Sequence, residues 1–314
     1  MRASDLGRWT HPATILVATD LSDLDHLMPF ALEQASETGA RLILLHALSS
    51  SGVFSADAAG MPYYDKGSAL ETAHEMLRPW CEAAAGRGIR CDALVREGHP
   101  TQQIAAAFRE FQVDRVLLGT RSRSKIGKLL LGSVAEQVLR SVYLPVMTVG
   151  PEAHLAVARN GERVVLHATS LRETSRPSAA LACQAAATQN AKLVLLHVLP
   201  PVEVMERKHM PTGLDSSAMV ELRILAEETG ARCCSAVEPV ILHGNPSIEI
   251  LALASERRAG LIVLGATHRL ALENLTRDRT VYRVLAHARC PVLTLREPQA
   301  MPEGSLPIAA AAHQ

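Results

Sequence analysis

A single unit written twice constrains this chain more than any other feature. Residues 98–149 align without a gap on 244–295 and share 14 of 52 positions, among them Gly98, Pro100, Gly119, Arg123, Pro145 and Thr148. ARLILLHAL (40–48) matches AKLVLLHVL (191–199) at six of nine positions, and ILVATDL (15–21) matches VLHATSL (165–171). Whatever fold the first half adopts must therefore also serve the second. The repeat divides the 314 residues into a first domain over 1–155, a second over 156–297, and a Pro/Ala-rich tail over 298–314 that is expected to be disordered.

Within each copy, short apolar runs alternate with helical patterns. In the first copy the runs ATILVAT (13–19), RLILLHAL (41–48), RVLLG (115–119) and LPVMTV (144–149) read as strands buried on both faces. A further strand is expected near 89–96. Helices are expected over 22–38, 68–86, 101–111 and 133–142, and the Ser/Gly/Ala-rich stretch 49–67 reads as a long loop. Strands and helices alternating over short links predict a parallel, doubly wound sheet with right-handed crossovers. Such sheets bind ligands beyond the carboxyl ends of their strands, at the switch in strand order. Asp20 and Gly119 end the first and fourth strands, so both belong on that rim.

Composition narrows the functional classes. Basic and acidic residues balance at 32 each, which argues against a nucleic-acid binder. No apolar run approaches the ~20 residues of a membrane span. The opening MRASDLGRW lacks a signal-peptide pattern. The six cysteines (81, 91, 183, 233, 234, 290) show no CxxC spacing and are expected to be reduced thiols of a cytoplasmic protein. Cys233 and Cys234 beside His209 or His243 fit no standard zinc spacing, so no metal site is assigned.

The chemistry concentrates in GTRSRSKIGKLLLGS (119–133). A strand runs into a basic loop, and the loop ends in Gly132-Ser133 at the start of the helix SVAEQVLRSV. The first N–H groups of a helix have no intrahelical partner, and the helix dipole adds partial positive charge there. Arg121, Arg123, Lys125 and Lys128 add four cations to the loop. The arrangement reads as an anion cradle. The alternative is structural: Gly119 and Gly132 turn the chain, Ser133 caps the helix, and Asp20 or Ser22 caps the first helix of the unit. His46 and His197 close the second strand in both copies and read as structural. Gly98-His99-Pro100 and Gly244-Asn245-Pro246 read as turns into helices.

These residues resemble the universal stress protein family. Its nucleotide-binding members show G-x-x-G, nine residues, then G-[ST] after the fourth strand; here the pattern reads Gly119-Thr120-Arg121-Ser122, nine residues, Gly132-Ser133. Asp20 ending the first strand, LLH at 44–46, and G-x-P at Gly98 and Pro100 agree as well. The one departure is Ser122 in place of the second glycine. The resemblance implies two tandem five-stranded domains of the adenine nucleotide alpha hydrolase-like kind, packed as an internal pseudo-dimer through their fifth strands, with further pairing of two chains. It also implies an adenine nucleotide site, ATP with or without Mg²⁺, formed by Asp20, Ala47, Gly119, Ser122, Gly132, Ser133 and Val134.

The second copy differs at the decisive places. Gly265 remains, but His268, Asp278 and Arg279 replace the other motif residues, and Ser170 replaces the first-strand carboxylate. An aspartate at a helix start repels phosphate, so this copy is expected not to bind ATP in the family manner. Three functions compete: a nucleotide-binding stress-response sensor; a nucleotide-independent scaffold or chaperone-like protein using loops 49–67 and 200–216 (Met61, Tyr63, Tyr64, Met205); and a slow ATPase. No candidate base lies beside a nucleophile and no P-loop lysine is present, so no catalytic residue is assigned.

Overall fold

The computed structural model describes residues 3–48, 55–56, 62–63, 66–120, 131–155, 162–201, 213–233, 237–266 and 279–296. The elements of the first unit are α1 (Ala3–Thr10), β1 (Thr14–Thr19), α2 (Leu24–Thr38), β2 (Arg41–Leu48), the two-residue strands β3 (Ser55–Ala56) and β4 (Pro62–Tyr63), α3 (Lys66–Ala85), β5 (Cys91–Glu97), α4 (Pro100–Phe111), β6 (Arg115–Gly119), α5 (Ser133–Ser141) and β7 (Val146–Val149). The second unit follows with β8 (Arg163–Ala168), a 3₁₀ turn, α6 (Arg176–Thr188), β9 (Ala191–Leu199), α7 (Gly213–Cys233), β10 (Val237–His243), α8 (Pro246–Glu256), β11 (Leu261–Ala266), α9 (Arg279–His287) and β12 (Val292–Arg296).

Ten of the strands form one sheet in the order β10-β9-β8-β11-β12-β7-β6-β1-β2-β5. Within this sheet every pairing inside a unit is parallel, whereas β3 and β4 form a separate antiparallel pair. Alternation of side chains explains why the strands read as unbroken apolar runs. Ile15, Val17, Leu42, Leu44 and Leu117 pack into one core, while Leu16, Ile43, Leu45, Val116 and Leu118 pack into the other. Both faces are covered by helices, so neither set can be polar. The first core draws on α2, α3, α6 and α7, and the second on α4, α5, α8 and α9.

The units meet where β7 and β12 pair antiparallel, with Met147 opposite Leu293. Two buried threonines cross this seam: Thr148 Oγ1 donates to Val292 O at 3.3 Å, and Thr294 Oγ1 donates to Val146 O at 3.1 Å. Arg296 donates to Arg140 O at 2.7 Å and lies over the Tyr143 ring. Away from the seam, Arg163 reaches Glu37 at 2.9 Å and Glu33 at 3.4 Å, and Gln189 donates to Glu37 at 3.1 Å. Polar groups thus join the units on the α2 side, where apolar packing alone would leave their relative position less specified.

Helix α1 is an element that the strand–helix periodicity did not announce. It buries Trp9, whose carbonyl accepts from the buried Arg115 at 3.1 Å, and its Arg8 pairs with Asp114 at 2.6 Å. Asp114 also accepts from the amides of Ala13 and Thr14, fixing the start of β1. Burial lowers the Arg115 pKa to about 10. The guanidinium stays charged, supported by Gln34 Oε1 at 2.5 Å and by the nearby carboxylates Glu37 and Asp114.

No helix among the described residues is long and apolar enough to cross a membrane. The expected tail over 298–314 lies outside the described residues. One cysteine corrects the expectation of six reduced thiols: Cys183 is disulfide-bonded, while Cys81, Cys91 and Cys290 are free.

Candidate functional site

The strand order in the first unit is β7-β6-β1-β2-β5, so the chain reverses its direction of travel between β1 and β6. These two strands pair with Ala18 opposite Leu118. The carboxyl ends of β1 and β6 therefore lie side by side, which brings Thr19 and Asp20 next to Gly119 and Thr120. Beyond Gly119, Thr120 turns back: its amide donates to Val149 O at 3.0 Å, and its carbonyl accepts from Gly132 N at 3.2 Å. That last bond sets the start of α5 directly against the end of β6. Gly132 is the N-cap, with φ −62° and ψ 146°, and Ser133 and Val134 are the first helical residues. Ser133 is exposed, and Val134 packs partly against the core.

This geometry corrects two parts of the structural alternative. Ser133 does not cap the helix, because the N-cap position belongs to Gly132. Nor do the glycines serve by adopting unusual dihedrals. Gly132 is in extended backbone open to any residue, and Gly119 has no positive φ. Gly119 is required for a different reason. A Cβ there would fall on Asp23 Oδ2, well inside contact distance. The carboxylate of Asp23 thus occupies the space that a side chain at 119 would need.

Asp23 is the residue that sequence reasoning missed. It is the N-cap of α2, in place of Asp20 or Ser22, yet its side chain makes no capping hydrogen bond. It accepts instead from Thr19 Oγ1 at 2.7 Å. Burial, opposed by this hydrogen bond and reinforced by the charge of Asp20, raises its pKa above the usual carboxylate value. Asp20 is exposed and folds onto Ser22, accepting from its amide at 2.9 Å and its hydroxyl at 2.5 Å. Between the two carboxylates Leu21 sits at φ 72°, with its amide bonded to Thr19 Oγ1 at 2.9 Å. A branched side chain in that region costs on the order of 1–2 kcal/mol. The second unit repeats the strain at Leu171 (φ 58°), so it belongs to the shared architecture.

Ala47 lies near the end of β2, half-buried and in register with Arg96 on β5. His46, one residue earlier, donates from Nδ1 to Thr19 O at 3.0 Å, and His197 makes the matching bond to Thr169 O at 2.9 Å. Both histidines tie the ends of adjacent strands, which is the structural role expected for them. Gly98 and Gly244 do adopt positive φ, at 120° and 149°, and accept no side chain without a clash against Gln103 or Glu249. Ser122 and the four loop cations lie outside the described residues. Asp20, Gly119, Gly132, Ser133 and Val134 converge on one rim, and Ala47 closes it one strand further on.

An acidic pair beside a helix N-terminus suits a divalent cation that arrives with its own phosphate ligands. No group of three or more His, Cys, Asp and Glu side chains able to hold a metal occurs among the described residues.

The family model for the universal stress protein family matches residues 13–150 and again 154–296. The chain belongs to this family. A universal stress protein of Thermus aquaticus is 33% identical over 140 residues, covering 43% of this chain and 97% of its own length. The universal stress protein YxiE of Bacillus subtilis is 27% identical over 143 residues, again covering 43% of this chain and 97% of its own. A universal stress protein from Archaeoglobus fulgidus, known from its crystal structure, superimposes over 90% of this chain and 98% of its own, with a TM-score of 0.69 at 21% identity. At that identity the likeness speaks for the fold.

In the second unit, Gly265 is the penultimate residue of β11 and Ser170 lies two residues beyond β8. Ser170, which stands where the first unit has Asp20, bonds to Ser175, the N-cap of α6, at 2.9 Å. His268 and Asp278 lie outside the described residues, as does the side chain of Arg279.

Proposed function

We propose that the first unit binds ATP or a related adenine nucleotide and that the chain acts as a cytosolic stress-response sensor. The observation that carries this reading is the seating of the α5 N-terminus against the end of β6, beside Asp20 and Asp23. The amides of Ser133 and Val134 have no intrahelical acceptor and carry the positive end of the helix dipole. In this reading they receive the phosphates with Gly132, while Asp20 and Asp23 hold a nucleotide-borne Mg²⁺. Ala47 borders the adenine and ribose, and Ser122 takes the place of the second motif glycine. Hydrolysis is not part of the proposal, since holding a phosphate does not by itself activate a water.

Calorimetry of the purified chain with ATP and Mg²⁺ tests the reading. We expect saturation near one nucleotide per chain, and a loss of affinity of at least ~100-fold in Gly132→Asp, because the new carboxylate faces the phosphates in a partly buried site. An absence of heat and of any thermal shift up to millimolar ATP would favour the nucleotide-independent scaffold instead.

A further inference from the structure

The nucleotide reading leaves Cys81 and Cys91 without a task. Cys81 lies in the second half of α3, and Cys91 opens β5, the edge strand of the sheet. Both thiols are free and half-buried at the margin of the core, and their Sγ atoms are 2.9 Å apart. A disulfide needs ~2.05 Å, so closure asks for less than about 1 Å of movement. We propose that Cys81 and Cys91 form an oxidant-responsive dithiol, which hydrogen peroxide or a related hydroperoxide converts to an intramolecular disulfide.

The two sulfurs have distinct roles. The hydrogen bond from Cys91 lowers the Cys81 pKa, whereas the same bond, together with burial, drives that of Cys91 far up. Cys81 is thus the nucleophile and Cys91 the resolving thiol. The Cys81 thiolate attacks one peroxide oxygen; the O–O bond breaks, leaving a sulfenic acid on Cys81 and a hydroxide that takes up a proton as water. Cys91 sulfur then attacks Cys81 sulfur, and its proton leaves with the sulfenic hydroxyl as a second water. Two thiols lose two electrons in all, and one peroxide becomes two waters.

The bond would fasten α3 to a strand that, among the described residues, is held in the sheet by its pairing with β2 alone. Cys91 pairs with Leu42 at the start of β2, whereas Ala47, at the other end, pairs with Arg96. The staple therefore closes at the end of β5 remote from the rim, and the proposal stands independently of nucleotide binding. In the second unit Val237, which pairs with Leu193 at the start of β10, takes the place of Cys91.

The reduced full-length chain, freed of reductant and given hydrogen peroxide, is alkylated, digested with trypsin and examined by mass spectrometry. The expected product joins the peptide 91–96 to the peptide carrying Cys81, with both thiols protected from alkylation and restored by dithiothreitol. Cys91→Val, the residue used in the second unit, should leave a sulfenic acid on Cys81 that a cyclic diketone captures. In Cys81→Ser, Cys91 should remain alkylatable at the same peroxide dose. Both thiols still alkylated in the parent, or Cys81 carried on to sulfinic acid while Cys91 stays a thiol, would overturn the proposal.

Discussion

The two rims share a scaffold and differ in charge. Each has a threonine at or just beyond the end of its first strand, a leucine at positive φ bonded back to that threonine, and a histidine tying the second strand to the first. Onto this frame the first unit places two carboxylates, Asp20 and Asp23, whereas the second places Ser170 and Ser175 in mutual hydrogen bond. The backbone strain is retained where the carboxylate of Asp20 is replaced by the hydroxyl of Ser170. Strain at this corner is therefore a property of the fold, and the carboxylates are what specialises one copy of it.

The largest expected difference between the units concerns acid. His167 on β8 is fully buried, donates Nδ1–H to Val263 O at 3.0 Å, and leaves Nε2 without a partner. Its counterpart in β1 is Val17. Burial lowers the His167 pKa from 6.5 to about 4. The folded form thus refuses a proton that the unfolded chain accepts, so stability is full above pH 6.5 and falls as pH drops toward 4. The loss should reach about 3 kcal/mol once both forms are protonated. Urea midpoints measured across this window should fall less steeply in His167→Val than in the parent. Parallel curves for the two would remove this distinction between the units.

A smaller effect is expected at Gly119. Its substitution by alanine should displace the Asp23 carboxylate and break the Thr19 bond, costing about 1–3 kcal/mol. Combining it with Asp23→Ala should restore most of that loss, and a double-mutant cycle by chemical denaturation measures the coupling. Additive losses would show that the close approach of Asp23 is not what demands glycine.

The smallest effect is an expected zero. Replacing Asp278 and Arg279 by glycine and serine restores the Gly-Ser of the first unit in the second, but leaves Ser170 where the first-strand carboxylate would be needed. Calorimetry should still find one nucleotide per chain. A second site would mean that the helix start alone makes the cradle, and that Asp20 and Asp23 are dispensable.

Much of this architecture was legible in the sequence because it depends on neighbours along the chain. Apolar runs doubly buried in a parallel sheet cannot alternate with polar residues, so β1, β2 and β6 showed themselves within a residue or two. Gly98-His99-Pro100 showed itself as a turn because proline favours the first helical position. Asp23 stayed hidden because its role depends on Gly119, 96 positions away in sequence and adjacent only because β1 pairs with β6. The same holds for the pairing of Cys81 with Cys91 across helix and strand, and for α1, whose Trp9 and Arg8 find their partners near Asp114. Local patterns reveal elements; contacts made by the assembled sheet have no signature of that kind.

The antiparallel meeting of β7 and β12 has one more consequence. Strand direction reverses there, so the carboxyl ends of the first unit's five strands in this sheet point to one pole of the molecule and those of the second unit's five to the opposite pole. The two mouths open away from each other, and no single small molecule can span both. Any influence of one pole on the other must pass through the hydrogen-bonded body between them.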